Sequence, residues 1–414
     1  MLRWLVVVGI ALGVACGAAA LPAVPGKGGP AWIELSSEHF TMWTDAKPDR
    51  ARQLLRQIER FRRVIAGIAF PGIPASARGM IVALRDDSEL SVFSPTGENR
   101  AFATTRLPAL WQPAIVMSAF SNTDRNDVTA AHELAHLVSF AAIRYQPRWL
   151  AEGLAQFFET VGLDADAATI EVGGTSWGRD RRLPSPASVA SLFAWRGIQP
   201  GAEERRLYVT AWGLVTFLLN THGEEFLHYL ELLDRVAEVP AAQQDAAVVA
   251  AWRAAFPSLP EAEVDAVFRP WLTAGRHVVT TIRVRPQDEP IAERSLPEGD
   301  VYALYAIAHR ADAERPKSQA EIAAALAADP TNILAHALAV LRGTPQLTAE
   351  VGRAIARTHP GDCRAWWLAS LALPDPADRA ERDAANRKAC VLAARDAVQG
   401  APLRCPVDPR SSSR

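Results

Sequence analysis

Apolar and polar residues alternate over Trp32-Ile33-Glu34-Leu35 and again over His39 to Thr44. That period of two predicts a pair of strands. The period changes at Pro48, where Leu54, Leu55, Ile58, Phe61, Val64 and Ile65 keep helical spacing as far as about Ile68. A helix with one packing face follows from it, broken by Pro71 and Pro74. Two short apolar runs, Gly79 to Leu84 and Ala114 to Ser118, predict buried strands. From Val128 to Ala142 there is no Gly or Pro and apolar residues occur all round, the mark of a buried helix. Asn122-Thr123-Asp124 and Asn126-Asp127 offer caps at its start. Pro147 ends it and opens a second helix, Arg148 to Thr160, with Gly162 as its stop.

Further on, Thr169 to Val172 predicts a strand, and a helix passes through Leu192 and Phe193. Leu207 to Leu219 predicts a buried helix and Glu224 to Val236 an amphipathic one. Residues 284–299 carry Pro286, Pro290 and Pro297 among charges and are expected to form a linker. Alanine-rich helices follow. Asp329-Pro330-Thr331-Asn332 is echoed by His359-Pro360-Gly361-Asp362, the prolines 30 positions apart. This resembles tetratricopeptide-type helical hairpins, although that repeat is about 34 residues long; a generic helical bundle is the alternative.

Chemistry concentrates in His132-Glu133-Leu134-Ala135-His136, the pattern H-E-x-x-H. On a helix, residues four apart share a face, so two imidazoles at this spacing can bind one Zn²⁺. The neighbouring Glu133 can then move a proton of an activated water. Two histidines and a carboxylate inside an apolar helix are costly unless something satisfies them, and a cation does. Glu152 follows His136 by sixteen positions, in Trp149-Leu150-Ala151-Glu152-Gly153-Leu154-Ala155. A helix turning back at Pro147 brings Glu152 level with His136, as a third ligand. Three protein ligands leave the fourth position of zinc open, as in catalytic sites.

His132-Glu133-x-x-His136 with Glu152 in a W-L-x-E-G-x-A segment resembles the gluzincin branch of the zincin metallopeptidases, in the bacterial peptidase-MA-like group. The specific match covers about Asp127 to Phe158. The resemblance implies zinc ligands at His132, His136 and Glu152 and a general base at Glu133. It also implies an α+β zincin-like catalytic domain, a small mixed sheet with an active-site helix and a helical lobe, followed by the all-α repeat-like region. Such sites often carry a downstream tyrosine or histidine that stabilises an oxyanion. Tyr208 is the candidate, and a buried tyrosine bonded to backbone is the competing reading. His222 and His228 are weaker candidates. A sheet strand beside the cleft would add main-chain bonds to an extended peptide.

Composition narrows the reading little. The chain has 414 residues, 49% hydrophobic and 22% charged, with a formal net charge of −2. That makes no electrostatic case for nucleic acid. Met1-Leu2-Arg3, the apolar run Trp4 to Leu12 and Ala18-Ala19-Ala20 predict a secretory signal peptide over residues 1–20. An N-terminal membrane anchor is the alternative, and no other run is long enough to span a bilayer. Besides Cys16 there are Cys363, Cys390 and Cys405, an odd number after cleavage that allows one disulfide and does not say which.

The expected organisation is a signal peptide (1–20), a catalytic domain (31–283), a linker (284–299), a tetratricopeptide-like helical domain (300–400) and a disordered tail (401–414). The expected function is an exported, periplasmic or secreted, zinc-dependent metallopeptidase acting on peptides or proteins. A protein partner at the C-terminal helices goes with it. The competing reading is a helical-repeat binding protein whose zincin-like domain is structural.

Overall fold

The computed structural model describes residues 21–70, 78–94, 101–104, 109–119, 124–159, 161, 169–174, 185–197, 201–283, 290–309, 311–374 and 376–395. The expected signal peptide and tail lie outside them. Strands β1 (Ile33–Ser36) and β2 (Phe40–Thr44) form the predicted antiparallel pair. Helix α1 (Pro48–Ala69) buries the predicted face, with Leu54, Leu55, Ile58, Phe61 and Ile65 at most 4% exposed. Strand β3 (Gly79–Leu84) and the short α2 (Asp87–Phe93) follow. Strands β4 (Ala101–Thr104) and β5 (Ala114–Ser118) complete this part, and β2, β3 and β5 run parallel.

Helices α3 (Asp124–Ala142) and α4 (Arg148–Phe158) come next, then β6 (Thr169–Val172) and α5 (Val189–Phe193). Helices α6 (Gly201–Thr221), α7 (Gly223–Val236), α8 (Gln244–Ala255) and α9 (Val264–Thr273) complete the helical lobe. Strand β7 (Thr280–Arg283) pairs antiparallel with β6 in a small separate sheet.

The expected linker is only partly one. Residues 284–289 lie outside the described residues, but Ala292–Ser295 form β8, which pairs antiparallel with β1. The six-stranded sheet then reads β4-β5-β3-β2-β1-β8. All four β8 residues are exposed, so the strand has no apolar face for a hydrophobic pattern to reveal. Charged side chains blunt this edge: Arg294 donates to Glu34 at 2.9 and 2.6 Å, and Arg52 pairs with Glu293.

Successive side chains of a strand point to opposite faces, and both faces of this sheet are covered. Leu35, Met42, Ile81, Ala83 and Ile115 pack with α1, α3, α4 and α6. Trp43, Met80, Val82, Phe102 and Val116 pack on α2 and on the C-terminal helices. Those helices are α10 (Glu298–Ala308), α11 (Arg315–Ala328), α12 (Ile333–Leu341), α13 (Ala349–Thr358), α14 (Cys363–Leu371) and α15 (Arg379–Arg395). The alanine-rich region therefore shares a core with the sheet. Trp111 meets Trp367 edge-on at 4.8 Å across that layer. Ala109 and Trp111 adopt left-handed backbone there, with φ of 64° and 55°, uncommon for residues with a side chain.

The echoed proline segments mark helix starts. Asn332 caps α12 by accepting from the Ala335 N–H, and Asp362 caps α14 by accepting from the Arg364 N–H, both at 2.8 Å. Cys390 takes part in a disulfide and Cys363 is a buried thiol. Among the described residues no helix is long and apolar enough to cross a membrane. The coarse expectation of an α+β fold with a mixed sheet and a following helical region holds.

Candidate metal centre

Helix α3 presents His132 and His136 one turn apart, as the four-residue spacing requires. Their rings meet edge to face at 4.9 Å between centroids, and the two Nε2 atoms stand 3.2 Å apart. The residues that follow are anchored at the surface. Arg144 donates from its Nε and Nη2 to Asp234 at 3.0 and 2.9 Å, and from Nη2 to Glu238 at 2.9 Å. Pro147 then caps α4 rather than sitting inside it, its carbonyl accepting from Leu150 and Ala151 at 2.9 and 3.1 Å.

Helix α4 runs back along α3 and brings Glu152 in. Its Oε2 lies 3.4 Å from His132 Nε2 and 3.5 Å from His136 Nε2. Gly153 explains why the helix can come so close to its other neighbour. A Cβ there would stand 2.6 Å from Val215 Cγ2 and 2.7 Å from the Ala211 carbonyl of α6. The glycine after Glu152 is thus a packing requirement of the α4–α6 contact.

The donor set fits a tetrahedral dication. Zinc bonds of about 2.0–2.1 Å imply donor-to-donor separations of roughly 3.3 Å. The observed triangle has sides of 3.2, 3.4 and 3.5 Å. Two imidazole nitrogens and a carboxylate oxygen converge there, a set that either a cation or a shared proton would satisfy. His132, His136 and Glu152 are also the group that could hold a metal ion among the described residues.

The electrostatics point the same way. Burial opposes a charge on His132, yet the carboxylates of Glu152, Glu159 and Glu133 beside it raise its imidazole to about 10. Burial would raise Glu152, but the two histidines hold it well below the usual carboxylate range. The cluster therefore favours a positive charge, which a proton on His132 supplies as well as a cation would.

Glu133 points to a different partner. Its Oε2 accepts the Ala103 N–H of β4 at 2.7 Å, so the edge strand of the sheet orients it. Tyr208 lies on α6 with its ring 6.4 Å from that of His132. Burial raises its phenol, with Glu152 adding to the shift, so the hydroxyl keeps its proton and remains a donor. His222 and His228 instead sit beside Glu225 and Glu231, at 3.9 and 3.5 Å, and take no part in the triangle.

Three participants escaped the sequence reading. Glu159 is 8% exposed and places Oε2 3.6 Å from His132 Nδ1, an ion-pair distance beyond hydrogen-bond reach. Its separation of seven residues from Glu152 puts it on the same helix face, a signal the sequence did contain. Arg148, four residues before Glu152, lies 3.5 Å from Glu152 Oε1 and 3.3 Å from Glu204 Oε1. Its guanidinium also covers Trp195 at 4.6 Å. The third is the Ala103 N–H, and a four-residue strand gave no sign of it.

Residues 127–239 match the family described as "Protein of unknown function (DUF1570)". The matched stretch holds all three converging donors together with Glu133, Arg148, Glu159 and Tyr208, whereas Ala103 lies outside it. No curated protein and no solved structure matches the chain.

Proposed function

We propose that this chain is a zinc-dependent metallopeptidase of gluzincin type, with His132, His136 and Glu152 as ligands. The donor triangle carries the reading, because its three edges suit a tetrahedral zinc that His132, His136 and Glu152 would hold. Zinc, when bound, would supply an electrophile for a carbonyl oxygen and lower the pKa of a water. The remaining work falls to side chains. Glu133, fixed by the Ala103 N–H, would take a proton from water and hand it to the leaving amine. Tyr208, protonated and beside His132, would donate to the developing oxyanion. Glu159 would place a negative charge behind the His132 ring.

Strand β4 is the sheet edge nearest these residues, and an extended peptide added there would bond to those of its outward main-chain groups that Glu133 does not occupy. The disulfide at Cys390 supports an oxidising compartment, and with it export. The covering of the sheet by α10–α15 gives those helices a structural task, which leaves less need for a separate binding module.

Metal analysis with a peptide library tests the proposal. Glu133→Gln is expected to keep roughly one zinc per chain and lose hydrolysis, while His136→Ala loses the metal. Hydrolysis surviving in Glu133→Gln would defeat the proposed proton transfer.

A further inference from the structure

Beside the N-terminal turn of α4 the described residues enclose a cavity of about 390 Å³. Its walls are the rings of Trp149, Phe193, Trp195, Tyr229 and Trp252, with the Arg148 guanidinium among them. The rings brace one another: Trp149 lies 5.5 Å from Phe193, Phe193 5.1 Å from Trp252, and Tyr229 5.5 Å from Trp252. None of these contacts concerns the metal donors. Two wall residues nonetheless touch the site: Arg148 pairs with Glu152 and Trp195 meets Tyr208 edge-on at 5.2 Å.

We propose that this cavity takes an aromatic side chain of the peptide substrate, at a residue flanking the bond that is cut. This rests on the peptidase reading and names its substrate class. The volume lies within the roughly 300–1,000 Å³ of ligand pockets and is ample for one side chain, so the lining rather than the size selects the occupant. The lining favours an aromatic ring, which gains edge-to-face and offset contacts with such walls and can stack on a guanidinium. Charge argues against a charged occupant. Arg196 is paired with Asp245 at 2.9 Å, Arg253 approaches Glu261 at 3.4 Å, and Arg148 faces Glu152 and Glu204. The buried Arg148 Nε has no hydrogen-bond partner among the described residues, and a main-chain carbonyl of the bound residue would supply one.

The test uses the full, zinc-loaded chain carrying Glu133→Gln, so that a bound peptide is not cut. Two N-acetylated, C-amidated tripeptides are titrated by calorimetry, one with a central phenylalanine and one with a central alanine. The phenylalanine peptide is expected to bind at least roughly ten-fold tighter, the scale of difference an apolar pocket delivers. Adding Val248→Trp, on the cavity wall, should bring the ratio to about one. Val249→Trp lies at a more exposed part of the same wall and decides the matter if the first variant fails to fold.

Equal binding in the parent, including no binding of either peptide, overturns the proposal. A preference that survives in the folded filled variant overturns it too. The peptidase reading fails separately, if the zinc-loaded wild-type chain cuts no peptide of the library. Calorimetry would still decide the cavity in that case.

Discussion

Asp45 and Glu89 are carboxyl groups only 6% and 2% exposed, set beyond the ends of β2 and β3. Asp45 Oδ1 accepts the Arg85 N–H at 2.8 Å, and Arg85 Nη2 donates to Glu89 Oε1 at 2.6 Å. Burial, with Asp45 adding to it and Arg85 opposing it, pushes Glu89 up to about 8. In the unfolded chain a glutamate loses its proton near pH 4.3. Between those values the folded state holds a proton that the unfolded state has released, so stability should fall as pH rises through that window. The slope is at most ~1.4 kcal/mol per pH unit for one proton. Glu89→Gln should flatten the profile, read as urea midpoints from pH 5 to 8.5. A profile unchanged by the substitution would remove Glu89 as its source. At this scale the sequence was informative wherever helical spacing or a motif tied residues together, as with His132, Glu133, His136 and Glu152. It was silent where a partner came from backbone, as with the Ala103 N–H, because no side-chain pattern marks such a donor.

Between elements, the contact of α4 with α6 turns on Gly153. Gly153→Ala would drive a Cβ against the Ala211 carbonyl, which cannot swing aside as a side-chain end can. Overpacking of this kind costs about 1–3 kcal/mol. The expected outcome is a lower urea midpoint together with weaker zinc retention against a chelator, since Glu152 is the adjacent residue. Unchanged values for both would show that the two helices can part without disturbing the donors. The long helices were legible because their apolar residues repeat over several turns. The strands β4, β7 and β8 were not, and β7 and β8 have no buried position at all to give them an apolar face. A strand held by backbone pairing with both faces exposed leaves no alternation to read.

For the molecule as a whole, the composition does shift after residue 283, but packing does not divide there. A chain ending at Arg283 would uncover Trp43, Met80, Val82 and Val116, all at most 8% exposed in the full protein. It should aggregate or bind a hydrophobic dye, and melt without cooperativity. A soluble chain of that length with a sharp thermal transition would show that the helical layer is dispensable. Composition separates regions by sequence bias, whereas the core is defined by which faces must be covered. The second face of the sheet is apolar because β3 is apolar at every position, yet nothing in that strand says which later segment lies on it.

The converging donors come from α3 and α4, which only residues 143–147 separate along the chain. Closing so short a loop costs little chain entropy. A dication would therefore be able to tie those two helices in a chain whose sheet has not yet assembled. Glu133 gains its main-chain partner only once β4 is in place against β5. On the metallopeptidase reading, ion capture and proton-transfer competence would be two distinct steps in the order of folding, the first local and the second waiting on the sheet.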